Sequence, residues 1–320
     1  MIRQDITKSR TGNLFSRKDL LFAGALVAAF AGWLAYLAST LEVRLLAQVL
    51  MNGLVLALTY LLIAWGLTLM FSVMRLMNFA HGEFYMLGAF AVWYSIEKNR
   101  FLGSLFDKPW NYLFAFLLAT VTVGLLGILV ELALFRPLKK DLLLAFIVSL
   151  GLGMVLQTGT LVSFGLLPKS IPTTFEGQLS LGGAGISYER AVLVAVALAV
   201  IAATIFLVMH TRQGRAMRAI REDEEAAALQ GINIGHYRSL VMFLGCAMAA
   251  IAGALAGPIY NVSPYMGALP LSKAFAIIVL GGVGSLPGAV LGGFFIGFVE
   301  SFGATTFGAS VADMLAFVIT

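Results

Sequence analysis

Charged residues are scarce in this chain of 320 amino acids. Asp, Glu, Lys and Arg make up 12% of the sequence and hydrophobic residues 60%, whereas a soluble domain contains about 25% charged and roughly 45–50% apolar residues. The apolar residues form runs that approach or exceed the roughly 20 residues of a membrane-crossing helix, and the alternation of a membrane β-barrel is absent. Lipid-exposed backbone must satisfy its own hydrogen bonds. The composition therefore predicts an all-α polytopic membrane protein.

Cysteine, histidine and the common catalytic motifs are also sparse. The single cysteine, Cys246, excludes an internal disulfide. The three histidines, His81, His210 and His236, are far apart and near no cysteine or carboxylate cluster with metal-ligand spacing, so we expect no metal site. Neither a Gly-x-Ser-x-Gly elbow nor a Gly-x-x-x-x-Gly-Lys-Ser/Thr phosphate loop occurs. These absences argue against an enzyme, and any ATP hydrolysis must come from another chain.

The net charge of +5 needs no nucleic-acid partner, because the basic residues cluster where membrane orientation would place them. Residues 1–19 carry five of them, followed by an apolar run over 20–41. No small-residue cleavage site stands out, so we predict a first span rather than a signal peptide. The positive-inside rule then places the N-terminus in the cytoplasm. We expect residues 1–19 to be a cytoplasmic extension and residues 20–320 to form one transmembrane domain.

Together with the run over 20–41, the remaining apolar runs make up about eight crossings, with two interrupted segments. They cover 45–73, 83–96, 110–135, 142–167, 191–209, 238–260, 272–301 and 303–320. Residues 168–190 contain prolines and glycines but few apolar anchors, which indicates an external loop. The last run stops without a basic or interfacial cap, so we expect the natural chain to continue. A secondary transporter or channel that works alone is the alternative from another class. Glu131 and Glu300 lie towards the ends of their predicted spans, which disfavours an ion-coupled carrier.

The first interruption lies between residues 74 and 90, where Arg75, Asn78, His81 and Glu83 separate two apolar runs. Ionisable groups at membrane depth are candidates for a functional site. The second interruption is the sequence GGVGSLPG at 281–288. Interrupted segments in both halves of a transporter often mark the translocation path, so we pair these two. For Gly292, Gly293 and Gly297 we favour close helix packing instead.

The most charged internal segment lies at 210–237 and is predicted to be cytoplasmic. Arginines at 212, 215, 218 and 221 are spaced by three residues, which places them along one side of a helix, and alanine, leucine and isoleucine offer apolar surface. The segment therefore indicates a short amphipathic helix.

Two stretches carry a family resemblance. Residues 66–90 (GLTLMFSVMRLMNFAHGEFYMLGAF) and 273–293 (KAFAIIVLGGVGSLPGAVLGG) resemble the signatures of the permeases of branched-chain amino acid ABC importers, the H-type subunit of the Liv system. The resemblance runs from about residue 45 to the end of the chain. Urea and short-chain amide permeases look similar in these stretches, so the substrate stays open between these classes.

The resemblance implies a multi-pass permease of the bacterial inner membrane that binds no cofactor itself. The implied partners are a second, related permease, two cytoplasmic ATPase subunits that use ATP, and an extracytoplasmic binding protein. Residues 225–231 match the first half of the motif by which such permeases dock their ATPases, and the second half is missing around 241–244. The alternative is a solvated charged linker. The predicted docking residues are Arg218, Arg221, Glu225, Ala226, Ala227 and Gly231.

An aliphatic amino acid needs a path with apolar walls and a few polar groups. We predict that these groups are the side chains of Thr68, Ser72 and Asn78 and the exposed backbone at Gly281, Gly282 and Gly284. His81 and Glu83 are two residues apart and do not share a helical side, so they form no proton relay. We expect His81, Gly82 and Glu83 to hold the break in shape, together with Arg75, which either pairs with Glu83 or reaches the membrane interface.

Overall fold

A computed structural model describes residues 32–33, 42–98, 110–138, 141–172, 175, 177–181 and 184–319. The predicted first span over 20–41 and the extension over 1–19 lie almost entirely outside these residues. The described helices are α1 (Val43–Met74), α2 (His81–Trp93), α3 (Trp110–Val130), α4 (Leu142–Phe164), α5 (Tyr188–His210), α6 (Arg212–Glu222), α7 (Glu224–Leu229), α8 (Ile234–Ala256), α9 (Ala268–Gly281), α10 (Leu286–Phe307) and α11 (Ala309–Ile319). Two π-helical turns, Tyr94–Lys98 and Glu131–Phe135, extend α2 and α3.

Within the described ranges, six helices are long and apolar enough to cross a membrane: α1, α3 with its π-helical turn, α4, α5, α8 and α10. Helix α9 is apolar but shorter. The prediction of a helical, polytopic membrane protein is therefore confirmed. The predicted count of eight crossings and the cytoplasmic N-terminus stay predictions.

Polar side chains cap the N-termini of several of these helices. Asp141 Oδ1 accepts from Leu144 N at 2.9 Å at the start of α4, and Asn233 Oδ1 accepts from His236 N at 3.1 Å at the start of α8. Ser285 Oγ accepts from Gly288 N at 3.2 Å, and Pro287 lies in the first turn of α10. Each cap satisfies one of the backbone N–H groups that a helix leaves without an intrahelical partner.

The predicted external loop contains a small antiparallel hairpin. Strand β1 (Gln178–Leu181) pairs with β2 (Ala184–Ser187), with Gln178 opposite Ser187. This hairpin marks one end of the helical bundle, the hairpin end. Helices α6 and α7 mark the opposite end, the α6 end.

Burial is uneven across the bundle. The most apolar part of α1 is 83% buried and that of α8 is 78%, whereas that of α4 is only 11% buried. Gly297 of α10 lies so close to Ala57 of α1 that a Cβ would collide with the backbone, and Gly293 packs on Leu61. The packing role expected for these glycines is confirmed. The core is therefore built on α1, α8 and α10, while α4 leaves an apolar outer face.

Two helices begin in the middle of the bundle rather than at an end. Helix α1 ends at the α6 end, residues 75–80 turn back inward, and α2 begins at His81, whose Nε2 lies 3.2 Å from the carbonyl of Ile63 in the body of α1. In the second half, α8 ends at the hairpin end, residues 257–267 turn back, and α9 begins beside the first turn of α2. The two halves thus repeat one motif with opposite direction.

This arrangement corrects the predicted pairing of the two interruptions. The counterpart of the break at 75–80 is the segment 257–267, not 281–288. The latter is a tight turn at the α6 end between α9 and α10, where Gly282 and Gly284 have φ of 88° and 80° and Gly281 packs against Gly288. Its glycines allow the tight turn and the close contact between the two backbones. In the sequence, the same composition resembles that of a helix interrupted in the middle of a span.

Candidate functional site

The first turns of α2 and α9 meet in the middle of the bundle. A Cβ on Gly82 would lie 2.5 Å from the carbonyl oxygen of Gly267, so the two backbones are in direct contact. Gly153, at the middle of α4, packs against Ala80 at ordinary contact distance. The N-terminal N–H groups of a helix carry partial positive charge and favour anions. Two such helix starts therefore lie at one level, deep in the protein.

Asn78 lies just before the start of α2 and is 1% exposed. Its Oδ1 accepts from Ala80 N at 3.0 Å, and its backbone carbonyl accepts from His81 N at 3.2 Å. Its Nδ2 has no hydrogen-bond partner among the described residues. A buried amide with unmade hydrogen bonds is costly, so Asn78 offers two donors at the point where the helix starts meet.

An aromatic cluster forms the apolar wall next to Asn78. The ring of Phe79 stacks on Phe275 of α9 with centroids 4.6 Å apart and meets Phe146 of α4 edge-on at 4.7 Å. The backbone N of Phe79 donates to Ser149 Oγ at 3.2 Å. These contacts fix the break between α4 and α9.

His81 and Glu83 lie in the first turn of α2, directly after the break. His81 is fully buried, and its ring nitrogen is the group that contacts the Ile63 carbonyl of α1. The Glu83 side chain is 8% exposed, and its Oε2 has no hydrogen-bond partner in the described part of the chain. The two residues do not bond to each other in the described contacts. This geometry agrees with an anchoring role for His81.

Arg75 does not pair with Glu83, which removes one of its two expected roles. It is exposed and ends α1 in the left-handed conformation with φ of 53°. Its Nη2 donates to the carbonyl oxygen of Arg221 in α6 at 3.4 Å. Arg75 therefore joins the break to the amphipathic helix α6.

The other predicted pathway residues lie between the middle of the bundle and the α6 end. The hydroxyls of Thr68 and Ser72 donate to carbonyls of their own helix, those of Ala64 at 2.6 Å and Leu69 at 2.9 Å. Gly284 packs near Phe71, and Gly282 is exposed. The glycines thus belong to the end of the bundle and not to the level of Asn78, contrary to the expected mid-span break.

The predicted docking segment folds into α6 and α7. Thr211 caps α6 by accepting from Gly214 N at 3.1 Å, and Asp223 caps α7 by accepting from Glu225 N at 2.9 Å. Met217 and Ile220 are buried against the bundle, and Arg218 donates to the carbonyl of Val208 in α5. On the outer side, Glu225 is exposed, Leu229 is 88% exposed, and Gly231 has φ of 80°. Ala227 is buried and Ala226 is exposed.

Comparison with known proteins identifies the family. The profile of the family described as "Branched-chain amino acid transport system / permease component" matches residues 49–320. This chain belongs to that family of permeases. It is a multi-pass protein of the inner membrane. The extension predicted for residues 1–19 lies outside the match.

Named relatives support the assignment over most of the chain. The permease is 36% identical over 277 residues to the high-affinity branched-chain amino acid transport system permease protein BraD of Pseudomonas aeruginosa, which covers 84% of this chain and 90% of BraD. It is 36% identical over 281 residues to LivH of Escherichia coli K12, covering 85% and 90%. The fructose import permease FrcC of Rhizobium meliloti is 29% identical over 135 residues, covering 40% and 36%. These names describe transport permeases, which is a non-enzymatic role. No solved structure matches the chain.

The permease also contains a buried charge cluster that the sequence reasoning missed. Lys273 of α9 is completely buried, and its Nζ lies 3.0 Å from Glu300 Oε2 of α10 and 3.0 Å from Asp313 Oδ1 of α11. Tyr60 of α1 donates to Glu300 Oε1 at 2.8 Å. Glu300 lies in the second half of α10, which ends at Phe307. The sequence signal that could have indicated this cluster is Lys273 itself, a single lysine within an apolar run.

A second buried cluster joins α3 to α8 at the α6 end of the permease. Glu131, which is fully buried, accepts from Arg136 Nη2 at 2.9 Å and from Ser239 Oγ at 2.8 Å. Arg238 Nε lies 3.8 Å away from Glu131 Oε1. Arg136 also donates to the carbonyl of Gly235 at 3.0 Å. This network fixes the start of α8, directly after α7.

Proposed function

We propose that this chain is the transmembrane permease subunit of an ABC importer that moves branched-chain or other aliphatic amino acids into the cytoplasm. The observation that carries the proposal is the meeting of two half-length helices at Gly82 and Gly267 in a chain of this permease family. Interrupted helices whose N-termini meet near the midplane form the substrate sites of many transporters. The names of BraD and LivH supply the substrate class.

The substrate path passes Asn78 in this proposal. A passing amino acid presents a carboxylate, which the amide donors of Asn78 and the starts of α2 and α9 attract. Its aliphatic side chain contacts the aromatic wall of Phe79 and Phe275. Thr68, Ser72 and the backbone at Gly281, Gly282 and Gly284 lie further towards the α6 end, where the path opens. His81, Gly82 and Glu83 hold the break.

ATP drives this path through separate subunits, since the chain itself binds no cofactor in this proposal. The α6 end is the cytoplasmic end, and two ATPase subunits dock on α6 and α7 through the outer surface at Glu225 and Leu229. Arg75 transmits their movement to the break through its bond to Arg221. A related second permease completes a heterodimer, and an extracytoplasmic binding protein delivers substrate at the hairpin end. The N-terminus is cytoplasmic, and no nucleic acid takes part.

A urea or short-chain amide permease is the alternative within the same class, and the names of BraD and LivH favour amino acids. An ion-coupled carrier is the alternative from another class, and the buried carboxylate of Glu300 is the observation in its favour. That carboxylate is held by Lys273 at 3.0 Å and by Tyr60. Such pairing suits a structural role better than a cycle of protonation.

Transport in reconstituted vesicles tests the proposal. Vesicles containing the permease pair, the ATPases and the binding protein should accumulate radiolabelled leucine only when ATP is supplied, and should not accumulate urea. The matched control contains this chain alone under a proton or sodium gradient. Leucine uptake in that control, without ATPases, would establish a secondary transporter and contradict the ABC assignment.

A further inference from the structure

A polar cavity of about 320 Å³ lies at the hairpin end, between α1, the start of α5 and α10. Its volume is within the roughly 300–1,000 Å³ of small-molecule sites. It is separate from Asn78 and from the meeting point of the half-length helices. Its lining residues lie towards the start of α1 and the end of α10, whereas Asn78 follows the end of α1. The family signatures at 66–90 and 273–293 contain none of its lining residues.

One side of the cavity carries a positive charge. Arg190, in the first turn of α5, lines it and donates through Nη1 to Asn52 Oδ1 of α1 at 2.5 Å. Among the described residues, no carboxylate forms an ion pair with Arg190, and the side chain that accepts its hydrogen bond is a neutral amide. The planar guanidinium has five N–H donors and matches a carboxylate in geometry. Arg190 therefore suits an anionic group entering from the hairpin end.

Helix α10 contributes oxygen acceptors to the lining. Ser301 of α10 donates its hydroxyl proton to the carbonyl of Val49 at 2.7 Å, and Thr305 donates to the carbonyl of Ser301 at 3.0 Å. Both hydroxyl oxygens thus keep lone pairs for an incoming donor. Tyr260 also lines the cavity and adds a phenolic oxygen. These oxygens therefore suit an ammonium group.

Apolar side chains complete the lining. Val55 and Leu56 of α1 and Ala304 of α10 also line it. A cation, a set of oxygen acceptors and an aliphatic wall together match the three parts of an aliphatic α-amino acid.

We propose that this cavity binds the free aliphatic amino acid before it reaches the break at Asn78. Arg190 binds the α-carboxylate, the oxygens of Ser301, Thr305 and Tyr260 accept from the α-ammonium, and Val55 and Ala304 contact the side chain. The inference rests on the proposed function, because it requires the substrate to be an amino acid that enters from the hairpin end. It adds an entry site in the permease that acts after release from the binding protein.

Direct binding to the purified assembly, without the binding protein, tests the site. Radiolabelled leucine should bind saturably to the wild-type assembly. Isopentylamine, which lacks the carboxylate, and 4-methylpentanoate, which lacks the ammonium, should compete at least tenfold more weakly than unlabelled leucine. Arg190→Gln should weaken leucine binding at least tenfold and should remove the preference for leucine over isopentylamine. Arg190→Lys should restore part of the affinity.

Arg44→Gln is the matched control, because Arg44 is an exposed arginine near the same end of α1 that does not line the cavity. It should bind leucine as the wild type does. Stimulation of ATP hydrolysis by the binding protein verifies that each variant is folded and assembled. Absent saturable binding in the wild type, or equal affinity in Arg190→Gln and Arg44→Gln, would overturn the entry site. If the assembly transports leucine with ATP in either case, the proposed function stands; without such transport, the proposed function itself fails.

Discussion

Gly82 and Gly267 touch each other at the middle of the bundle: a Cβ on Gly82 would lie 2.5 Å from the carbonyl oxygen of Gly267, and a Cβ on Gly267 would lie closer still to that of Gly82. They are the residues at which the first turn of α2 meets the start of α9. No other residue type fits this approach without moving one half-length helix away from the other.

Replacing either glycine by alanine should therefore separate the half-length helices. We expect Gly82→Ala and Gly267→Ala each to lower the free energy of unfolding by about 1–3 kcal/mol, the usual cost of overpacking, and to reduce leucine transport. Thermal unfolding in detergent and uptake in vesicles provide the measurements. Gly159→Ala is the control, because nothing described lies within 4 Å of a Cβ at that position. A stable, fully active Gly82→Ala protein would contradict the contact.

Particular residues explain how much of this site the sequence predicts. The break after Met74 is visible because polar residues interrupt an apolar run, and α6 is visible because its arginines repeat every three residues. The break at 257–267 contains no charged residue, so composition does not separate it from an ordinary loop between spans. Its end lies deep in the bundle because Gly267 packs against Gly82. This contact joins distant parts of the chain, so the local sequence does not reveal it. Lys273 and Asp313 are likewise joined only by the fold.

Asn78 has two separable tasks, and one substitution distinguishes them. Asn78→Asp keeps the oxygen that accepts from Ala80 N but removes the two Nδ2 donors, whereas Asn78→Ala removes both. If the amide donors bind substrate, Asn78→Asp should reduce leucine uptake at least tenfold. A pure capping role would leave Asn78→Asp as active as the wild type and affect only Asn78→Ala. Uptake in vesicles, with the melting temperature of each purified variant, decides between these outcomes.

The Lys273 cluster should be strongly coupled. Lys273→Met leaves Glu300 buried without its cation, and such a loss of one partner costs about 3–5 kcal/mol. The double variant Lys273→Met/Glu300→Gln removes both charges and should be less destabilised than the sum of the single variants. Arg212→Met, at an exposed arginine of α6, should change the free energy of unfolding little. Additive effects of the two substitutions would mean that the pair at 3.0 Å contributes nothing to stability.

The outer surface of α7 should determine whether the ATPases bind. Glu225→Lys reverses an exposed charge, and Gly231→Val forces a β-branched residue into a left-handed conformation with φ of 80°. Neither residue is buried in the bundle, whereas Met217 and Ile220, which hold α6 to it, are unchanged. We therefore expect the double variant to insert and fold normally but to lose co-purification of the ATPases in a pull-down.

Glu42→Lys is the matched control for that pull-down, since it reverses an equally exposed charge at the opposite end of α1. It should retain the ATPases, because the proposed docking surface lies wholly at the α6 end. Retained ATPases in the Glu225→Lys/Gly231→Val variant would leave α7 as a solvated linker. In that case the bond between Arg75 and Arg221 would connect the break to a helix that the ATPases do not contact. The movement of the ATPases would then have to reach the break through another part of the bundle.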